Sequence, residues 1–175
     1  METPRRQLPA PYKVVLGIDP GQKGGIAVLG ANEGEVGVLP MPADVAELAA
    51  YLSSVVWSRA AGVHAYAFVE RAQAMPKQGV SSMFTYGRHF GTIEGILHAM
   101  RVPYTLVRPQ EWQKWAYSDV SPLLEGKARS IDAARAMHPS VALRGSPRCR
   151  KDSDGLADAL LIASYGAHKL FSYPR

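Results

Sequence analysis

The amino-acid sequence predicts an α/β fold with a mixed five-stranded sheet and helices on both faces. Three strand-like runs, rich in β-branched residues and separated by glycine-containing turns, precede the first helical pattern. Two later strand-like runs alternate with helical patterns, which favours parallel pairing of the first, fourth and fifth strands. The length of 175 residues and the 47% hydrophobic content suffice for one buried core. We expect a flexible segment over residues 1–12 and a single domain over residues 13–175.

The strands are expected near residues 13–19, 25–30, 35–39, 64–70 and 103–107. Gly21, Gly24 and Gly25 mark the first turn and residues 32–34 the second, so the first three strands should form an antiparallel meander. A helix should then run from Asp44 to about residue 58. Its apolar face is expected to comprise Val45, Leu48, Ala49, Leu52 and Val56.

The next helical pattern, near residues 81–100, contains three glycines spaced by four, Gly87, Gly91 and Gly95. A glycine inside a helix costs roughly 1 kcal/mol relative to alanine, so close packing should compensate for this glycine stripe. The stripe would pack either against the chain's own sheet or against the same helix of a second subunit. Further apolar surface for either arrangement comes from Phe84, Phe90, Ile93, Leu97 and Met100.

Three more helices complete the pattern. Pro109 suits the first turn of a short helix, under which Trp112 and Trp115 would pack as structural residues. A second helix should begin at Lys127, and the last begins near Asp154. The side chain of Asp154 could cap that last helix by accepting a hydrogen bond from a first-turn N–H.

Four acidic residues form the candidate site. Asp19 and Glu70 end two buried strand patterns, and ligands bind beyond the carboxyl ends of the strands in such sheets. Asp154 and Asp158 lie about one helical turn apart, so both carboxylates project from one face. Alone, this pair also fits one helix cap and one solvated aspartate. Beside the strand ends, however, four carboxylates would repel one another unless cations lay between them, and such ligands favour Mg²⁺ or Mn²⁺.

These motifs together resemble a known family, the RuvC-type Holliday junction resolvases of the RNase H-like superfamily, in their phage-encoded and plant chloroplast variants. The resemblance extends from about Val14 to Lys169. The segments that carry it are, in order, Gly17-Ile18-Asp19-Pro20-Gly21, Val69-Glu70 and residues 154–163, Asp-Gly-Leu-Ala-Asp-Ala-Leu-Leu-Ile-Ala. It implies an RNase H-like fold and a metal-dependent endonuclease that cuts four-way DNA junctions as a homodimer.

The resemblance also implies roles for single residues. Two Mg²⁺ ions, for which Mn²⁺ can substitute, would be held by Asp19, Glu70, Asp154 and Asp158. By similarity to the plant-type enzymes, Lys127 would reach the scissile phosphate and act in catalysis.

One position departs from the bacterial RuvC pattern, in which the last two acidic residues are three apart. The residue three before Asp158 is Gly155, which has no side chain to bind a metal. Asp154 is therefore assigned as the third ligand, as in the plant and phage variants. Asp152 is the less favoured substitute, because it precedes the helix.

Two segments are predicted to contact DNA. In this family the region after Glu70 approaches the junction centre, where Met75 would insert between bases. Arg71, Lys77 and Gln78 would contact phosphates or base edges, with an ordinary solvated loop as the alternative. The second segment is basic, precedes the last helix and would follow the DNA backbone. Its cationic residues are Arg144, Arg148, Arg150 and Lys151.

Composition restricts the class of protein. The net charge of +5 and the isoelectric point near 9.4 suit a polyanionic partner. A single cysteine, Cys149, cannot form an intrachain disulfide. Residues 1–12 lack the apolar core of a secretory signal, and no run approaches the roughly 18 apolar residues of a membrane span. We therefore expect a cytoplasmic protein.

Other functions stay open at the level of the sequence. The segment Gly17-Ile18-Asp19 and its glycine-rich turn also occur in sugar kinases and actin-like ATPases, but that fold needs two related domains around the nucleotide. A nuclease of the RNase H-like class could act on other branched DNA or on RNA–DNA hybrids. A module of the same fold could bind branched DNA without cutting it.

Overall fold

The computed structural model describes residues 12–30, 35–57, 64–71 and 79–171. The strands are β1 (Tyr12–Asp19), β2 (Gly25–Gly30), β3 (Val36–Pro40), β4 (His64–Glu70) and β5 (Tyr104–Val107). The helices are α1 (Val45–Trp57), α2 (Val80–Ala99), α3 (Pro109–Ala116), α4 (Gly126–Met137) and α5 (Asp154–Phe171). The strands form one sheet in the order β3-β2-β1-β4-β5.

The sheet is mixed, as the sequence predicts. β1 pairs antiparallel with β2, and β2 with β3, which gives the expected meander. β4 lies parallel to both β1 and β5. Every predicted strand boundary lies within one residue of the observed boundary. The second predicted turn, at residues 32–34, lies outside the described residues.

Helices cover both faces of the sheet, which confirms the predicted architecture. On one face, Leu52 of α1 and Ile93 of α2 pack with strand residues such as Leu16. On the other face, α3, α4 and α5 pack over residues such as Val15 and Phe68. None of the helices in the described ranges is long and apolar enough to cross a membrane.

Two glycines mark the places where α5 lies directly against the backbone of β1 and of the turn that follows β1. A side chain at Gly17 would overlap the carbonyl oxygen of Ala159 in α5. A side chain at Gly155 would overlap the carbonyl oxygen of Lys23 and the Cα atom of Gly24 in the turn after β1. The first turn of α5 is therefore held directly against the turn that follows Asp19.

Two local predictions were wrong. Ser153, not Asp154, caps α5, because the Leu156 N–H donates to Ser153 Oγ at 3.4 Å and the Ala157 N–H donates to the Ser153 carbonyl at 3.1 Å. This leaves the carboxylate of Asp154 available for other contacts. Val45 is 49% exposed and does not belong to the buried face of α1, since it directly follows the capping residue Asp44 and the burial begins one turn later.

The glycine stripe of α2 does not pack against the chain's own sheet. A Cβ atom at Gly87, Gly91 or Gly95 would meet no described residue within 4 Å, because the sheet contacts the opposite side of α2 through Ile93 and Leu97. Val80 and Phe84, which are 86% and 73% exposed, continue the same outward face at helical spacing. Of the two packing partners predicted for this stripe, the chain's own sheet is therefore wrong.

Candidate active site

The sheet places Asp19 and Glu70 side by side. Ile18 lies opposite Val69 in the parallel pair of β1 and β4, so the next residue of each strand leaves the sheet at the same edge. Side chains alternate between the two faces along a strand. Because Ile18 and Val69 pack on the side of α1 and α2, Asp19 and Glu70 face α3, α4 and α5.

α5 brings Asp154 and Asp158 to the same place. From Gly155 to Ala167 every residue of α5 is buried except Asp158, which is partly exposed. The charge of Asp154 acts on both Asp19 and Asp158, and the charge of Asp158 acts on Glu70. Four carboxylates from two strands and one helix thus form a single electrostatic cluster, which we call the acidic cluster.

Burial and mutual repulsion oppose ionisation of the acidic cluster. Burial raises the pKa of Glu70 to about 7, and the charges of Asp19 and Asp158 add to the effect. Burial likewise raises the pKa of Asp158 to about 7, with contributions from Asp19 and Asp154, against a hydrogen bond from Ser130. The pKa of Asp19 is also raised by burial, although the Gly21 N–H donates to its Oδ1 at 3.2 Å. Such a cluster is stabilised when cations bind.

The donor set of the acidic cluster fits a hard divalent cation. Asp158 Oδ1 is buried and has no hydrogen-bond partner in the described part of the chain, so one carboxylate oxygen is left for a ligand. Within the described ranges, however, no three His, Cys, Asp or Glu side chains are already arranged to bind one ion. Uncompensated carboxylates repel one another, so without a cation the four acids would lie further apart than in a loaded site. Carboxylate oxygens are the ligands that Mg²⁺ and Mn²⁺ prefer.

Lys127 already supplies one positive charge to the acidic cluster. Its Nζ lies 2.7 Å from Asp154 Oδ2, and its side chain is 73% exposed. The bond and charge of Asp154 raise the pKa of Lys127, so the ammonium form is favoured. The predicted catalytic lysine is therefore beside the acids.

Sequence reasoning missed the side chains that hold the acids in place. Trp112, predicted to be purely structural, is fully buried and donates from Nε1 to Glu70 Oε2 at 2.9 Å. Ser130 of α4 hydrogen-bonds Asp158. The hydroxyl of Tyr86 in α2 lies in the field of Glu70 and Asp19, although burial is the main reason that its pKa is raised. The one signal in the sequence is that a buried tryptophan N–H usually has a polar partner.

Two clefts adjoin the acidic cluster. The larger, of about 790 Å³, lies between the turn after β1, the end of β4 and the first half of α2, and its lining includes Glu70, Lys23 and Arg71. The smaller, of about 290 Å³, is bordered by α3, α4 and α5 and includes Asp154 and Asp158. Chain segments of a polyanion could therefore approach the acids from either side.

The predicted DNA-contacting residues are distributed unevenly around these clefts. Arg71 is exposed at the larger cleft. Arg148, Arg150 and Lys151 are exposed in the loop before α5. The predicted contacts Met75, Lys77 and Gln78 lie outside the described residues.

Asp152 makes contacts of a different kind from Asp154. Its carboxylate is only 10% exposed and lies 2.5 Å from an Nη2 atom of Arg135 and 3.9 Å from Nε of Arg144. These contacts link the loop before α5 to α4. Arg144, one of the predicted DNA contacts, is exposed but lies within ion-pair distance of Asp152.

Comparison with known proteins identifies the fold. RuvC of T. thermophilus in complex with a Holliday junction substrate has a TM-score of 0.57 and 19% identity, over 92% of this chain and 98% of that chain. Thermus thermophilus RuvC alone gives 0.54 and 19%, over 91% and 95%. The yeast mitochondrial Holliday junction resolvase Ydc2 gives 0.54 and 15%, over 90% and 78%. No protein-family model matches the chain, and no curated protein matches its sequence significantly. The chain therefore has the RuvC-like form of the RNase H-like fold.

Proposed function

We propose that this chain is a metal-dependent endonuclease that resolves four-way DNA junctions. The observation that carries the proposal is the acidic cluster, in which β1, β4 and α5 bring four carboxylates together beside two clefts. Its fold is shared with two proteins named as RuvC and a Holliday junction resolvase. The family resemblance of the motifs around Asp19, Glu70 and Asp158 supports the same function.

The acidic cluster would hold two Mg²⁺ ions, and Asp19 would contribute to holding both of them. When bound, divalent cations supply an activated water and stabilise the charge on the leaving 3′-oxygen. Glu70 and Asp154 would each take part in holding one ion, and Asp158 would complete the set through its unpartnered oxygen. The Trp112 indole donates to Glu70 Oε2, so Oε1 would be the oxygen that binds an ion.

Cleavage would leave a 5′-phosphate. Water adds to the scissile phosphorus, the bond from phosphorus to the 3′-oxygen breaks, and the 3′-oxygen leaves as a hydroxyl after taking a proton. Lys127 is exposed and is held only by Asp154 within the described contacts, so its ammonium group can turn to the phosphate. Exposed Arg71 and Lys151 would bind neighbouring phosphates and orient the strand.

A homodimer would match the symmetry of the substrate. Resolving a four-way junction requires cuts in two strands that are related by the two-fold symmetry of the junction. A two-fold dimer presents two equivalent sites for these cuts. The outward face of α2, with its glycine stripe, offers a surface on which a second copy could pack closely.

Cleavage assays with purified full-length protein test the function. We expect Mg²⁺-dependent cutting of a labelled four-way junction at paired positions, with much weaker cutting of linear duplex and none in EDTA. Preference for a fork or an RNA–DNA hybrid would indicate a nuclease with another substrate. Junction binding without cutting in Mg²⁺ or Mn²⁺ would indicate a binding module, and hydrolysis of ATP alone would favour the ATPase alternative.

Asp19→Asn should abolish cutting and leave junction binding largely intact. The change removes charge from the centre of the acidic cluster and leaves the basic surface unaltered. Cleavage and gel-shift titrations on the same junction measure the two effects. Asp132→Asn, an exposed change on α4, is the matched control and should cut normally. Near-normal cutting by Asp19→Asn would show that Asp19 is not a central ligand.

A further inference from the structure

The Tyr117–Ser130 pair connects α3 and α4 to the acidic cluster. Tyr117 directly follows α3, and its hydroxyl lies 2.7 Å from Ser130 Oγ. Tyr117, Ser130 and Asp158 line the same cleft, where a hydrogen bond from Ser130 opposes the rise in the pKa of Asp158. An ionised carboxylate only accepts hydrogen bonds, so when Asp158 is ionised Ser130 donates to it and the Tyr117 hydroxyl donates to Ser130. In that ionisation state the hydrogen bonds run from Tyr117 towards the acid.

Neighbouring side chains hold Tyr117 in place. Its ring meets the ring of Trp112 edge-on, with centroids 5.9 Å apart and planes at 73°. On another side the guanidinium carbon of Arg129 lies 4.8 Å from the ring centroid, within cation–π distance. Trp112 also donates to Glu70, so α3 reaches that acid directly, while Tyr117, the residue after α3, reaches Asp158 only through Ser130.

Ser130 is unusual among the buried residues. Within the described ranges, the polar residues that the fold buries are Ser130, at 5% exposure, and Ser164, at 3%. A serine inside a helix commonly bonds a carbonyl of its own preceding turn, as Ser164 does with the Leu160 carbonyl at 2.9 Å. Ser130 instead points its hydroxyl out of α4 towards another helix. A buried hydroxyl in this position requires partners, and it has one on each side.

We infer that Tyr117 and Ser130 are positioning residues that orient the Asp158 carboxylate for a metal ion. Ser130, held by Tyr117, bonds the carboxylate of Asp158, whose Oδ1 atom is buried and has no hydrogen-bond partner among the described residues. Side chains behind metal ligands commonly orient them in this way, and their loss typically lowers metal affinity by about 10- to 100-fold. The inference rests on the proposed metal-dependent function.

Calorimetric titration of the full-length protein with Mn²⁺ alone, without DNA, tests this inference. Ser130→Ala should weaken Mn²⁺ binding by about tenfold or more, and Ser130→Thr, which keeps the hydroxyl, should restore most of the affinity. Tyr117→Phe should cause a smaller loss, because Ser130 can still donate to Asp158. The matched control is Ser164→Ala, which removes an equally buried hydroxyl that bonds His138 Nε2 at 2.7 Å, away from the acids.

The outcomes separate the positioning role from the proposed function. Wild-type affinity in Ser130→Ala, or an equal loss in Ser164→Ala, would overturn the positioning role. Absence of Mn²⁺ binding by the wild type would overturn both. A third outcome is that the wild type binds Mn²⁺, Ser130→Ala binds it more weakly, and the wild type cuts no junction. That result would support the positioning role and refute the resolvase function.

Discussion

Single residues in the acidic cluster show a conflict between stability and function. Asp158 is the one partly exposed residue in a buried stretch of α5, and its carboxylate lies among other acids. A buried, repelled charge destabilises a fold unless a partner compensates it. The compensation visible within the described residues is small: an exposed ammonium, a serine hydroxyl, an indole N–H and the backbone N–H of Gly21. The cluster therefore favours cation binding at the expense of stability in the absence of the cation.

A charge-removing change at Glu70 should stabilise the metal-free protein. Its pKa is raised from 4.5 to about 7, so the stability contributed by the protonated form is lost as the pH rises through about 7. At pH 8 the ionised carboxyl costs on the order of 3 kcal/mol before solvent screening. Glu70→Gln should raise Tm by about 5 °C at pH 8 in EDTA and by less at pH 5.

Calorimetric melting curves of both proteins measure this difference. Asp132→Asn, an exposed change, should leave Tm unaltered. Mg²⁺ should raise the Tm of the wild type more than that of Glu70→Gln. A fall in Tm for Glu70→Gln at pH 8 would contradict the idea that repulsion in the cluster destabilises the fold.

Asp152 and Asp154 should differ in which property they control. Asp154→Asn should lower junction cutting at least about a hundredfold and leave Tm nearly unchanged, because its ion pair with Lys127 is solvent-exposed. Asp152→Asn should lower Tm by a few degrees, because it leaves Arg135 and Arg144 without their shared partner, and should cut nearly normally. Cleavage rates and melting curves of both variants give the answer. The reverse pattern would show that Asp152 is the metal ligand.

At the scale of elements, the sequence predicts most of the structure because the signals are local. Strand limits follow from short apolar runs and glycine turns, and all lie within one residue of the prediction. Because the carboxyl ends of parallel strands meet at one edge of the sheet, the strand pattern also places Asp19 and Glu70 together. The hydrogen bond from Trp112 to Glu70 joins residues that are 42 positions apart, so no local sequence pattern reveals it. The outward orientation of the glycine stripe similarly depends on which side of α2 meets the sheet.

The contact between α5 and the turn after β1 explains the four-residue spacing of the last two acids. The position three residues before Asp158 is occupied by Gly155, where any side chain would overlap the Lys23 carbonyl oxygen. A carboxylate could not be accommodated there without moving the helix. The neighbouring position, Asp154, is partly exposed and faces Lys127. Packing of the helix thus supports Asp154 as the residue that takes the third acidic position.

Gly155→Ala should therefore be harmful even though alanine favours helices. The propensity gain is roughly 1 kcal/mol, but the added methyl group would push α5 away from Lys23 and Gly24 and displace Asp154 from Asp19. We expect a lower Tm and a loss of cutting. Gly37→Ala in β3 is the matched control, because a Cβ there meets nothing within 4 Å. An unchanged or higher Tm for Gly155→Ala would show that the helix can shift without consequence.

At the scale of the whole molecule, charge and exposed surface support the proposals of a DNA partner and a second subunit. The net charge is +5 although four acids lie together in one site, so the remaining surface is more basic than the total indicates. The sheet buries one side of α2 and leaves the side with Val80, Phe84 and the glycine stripe uncovered. Exposed apolar side chains beside a row of glycines would permit close contact between two helices.

The last prediction is that the protein is a homodimer in which two copies of α2 meet through the glycine stripe. In an isolated chain Gly91→Ala should raise stability by roughly 1 kcal/mol, because its Cβ has open space around it. In the dimer the methyl group of Gly91→Ala would separate the two helices, so association should weaken. The larger side chain of Gly91→Leu should reduce paired cutting of the junction more than it reduces single nicking.

Light scattering at micromolar concentration, without DNA, measures the mass of each variant. Ala50→Leu, on the exposed side of α1, is the matched control for an added surface leucine and should leave the mass unchanged. If the protein is a dimer, Gly91→Ala should change association and monomer stability in opposite directions. The variant dimer should dissociate more readily, while the variant monomer should melt at a higher temperature. A monomeric wild type, both free and on junction DNA, would remove the dimer and leave the glycine stripe without a partner, with Gly91→Ala then simply stabilising the chain.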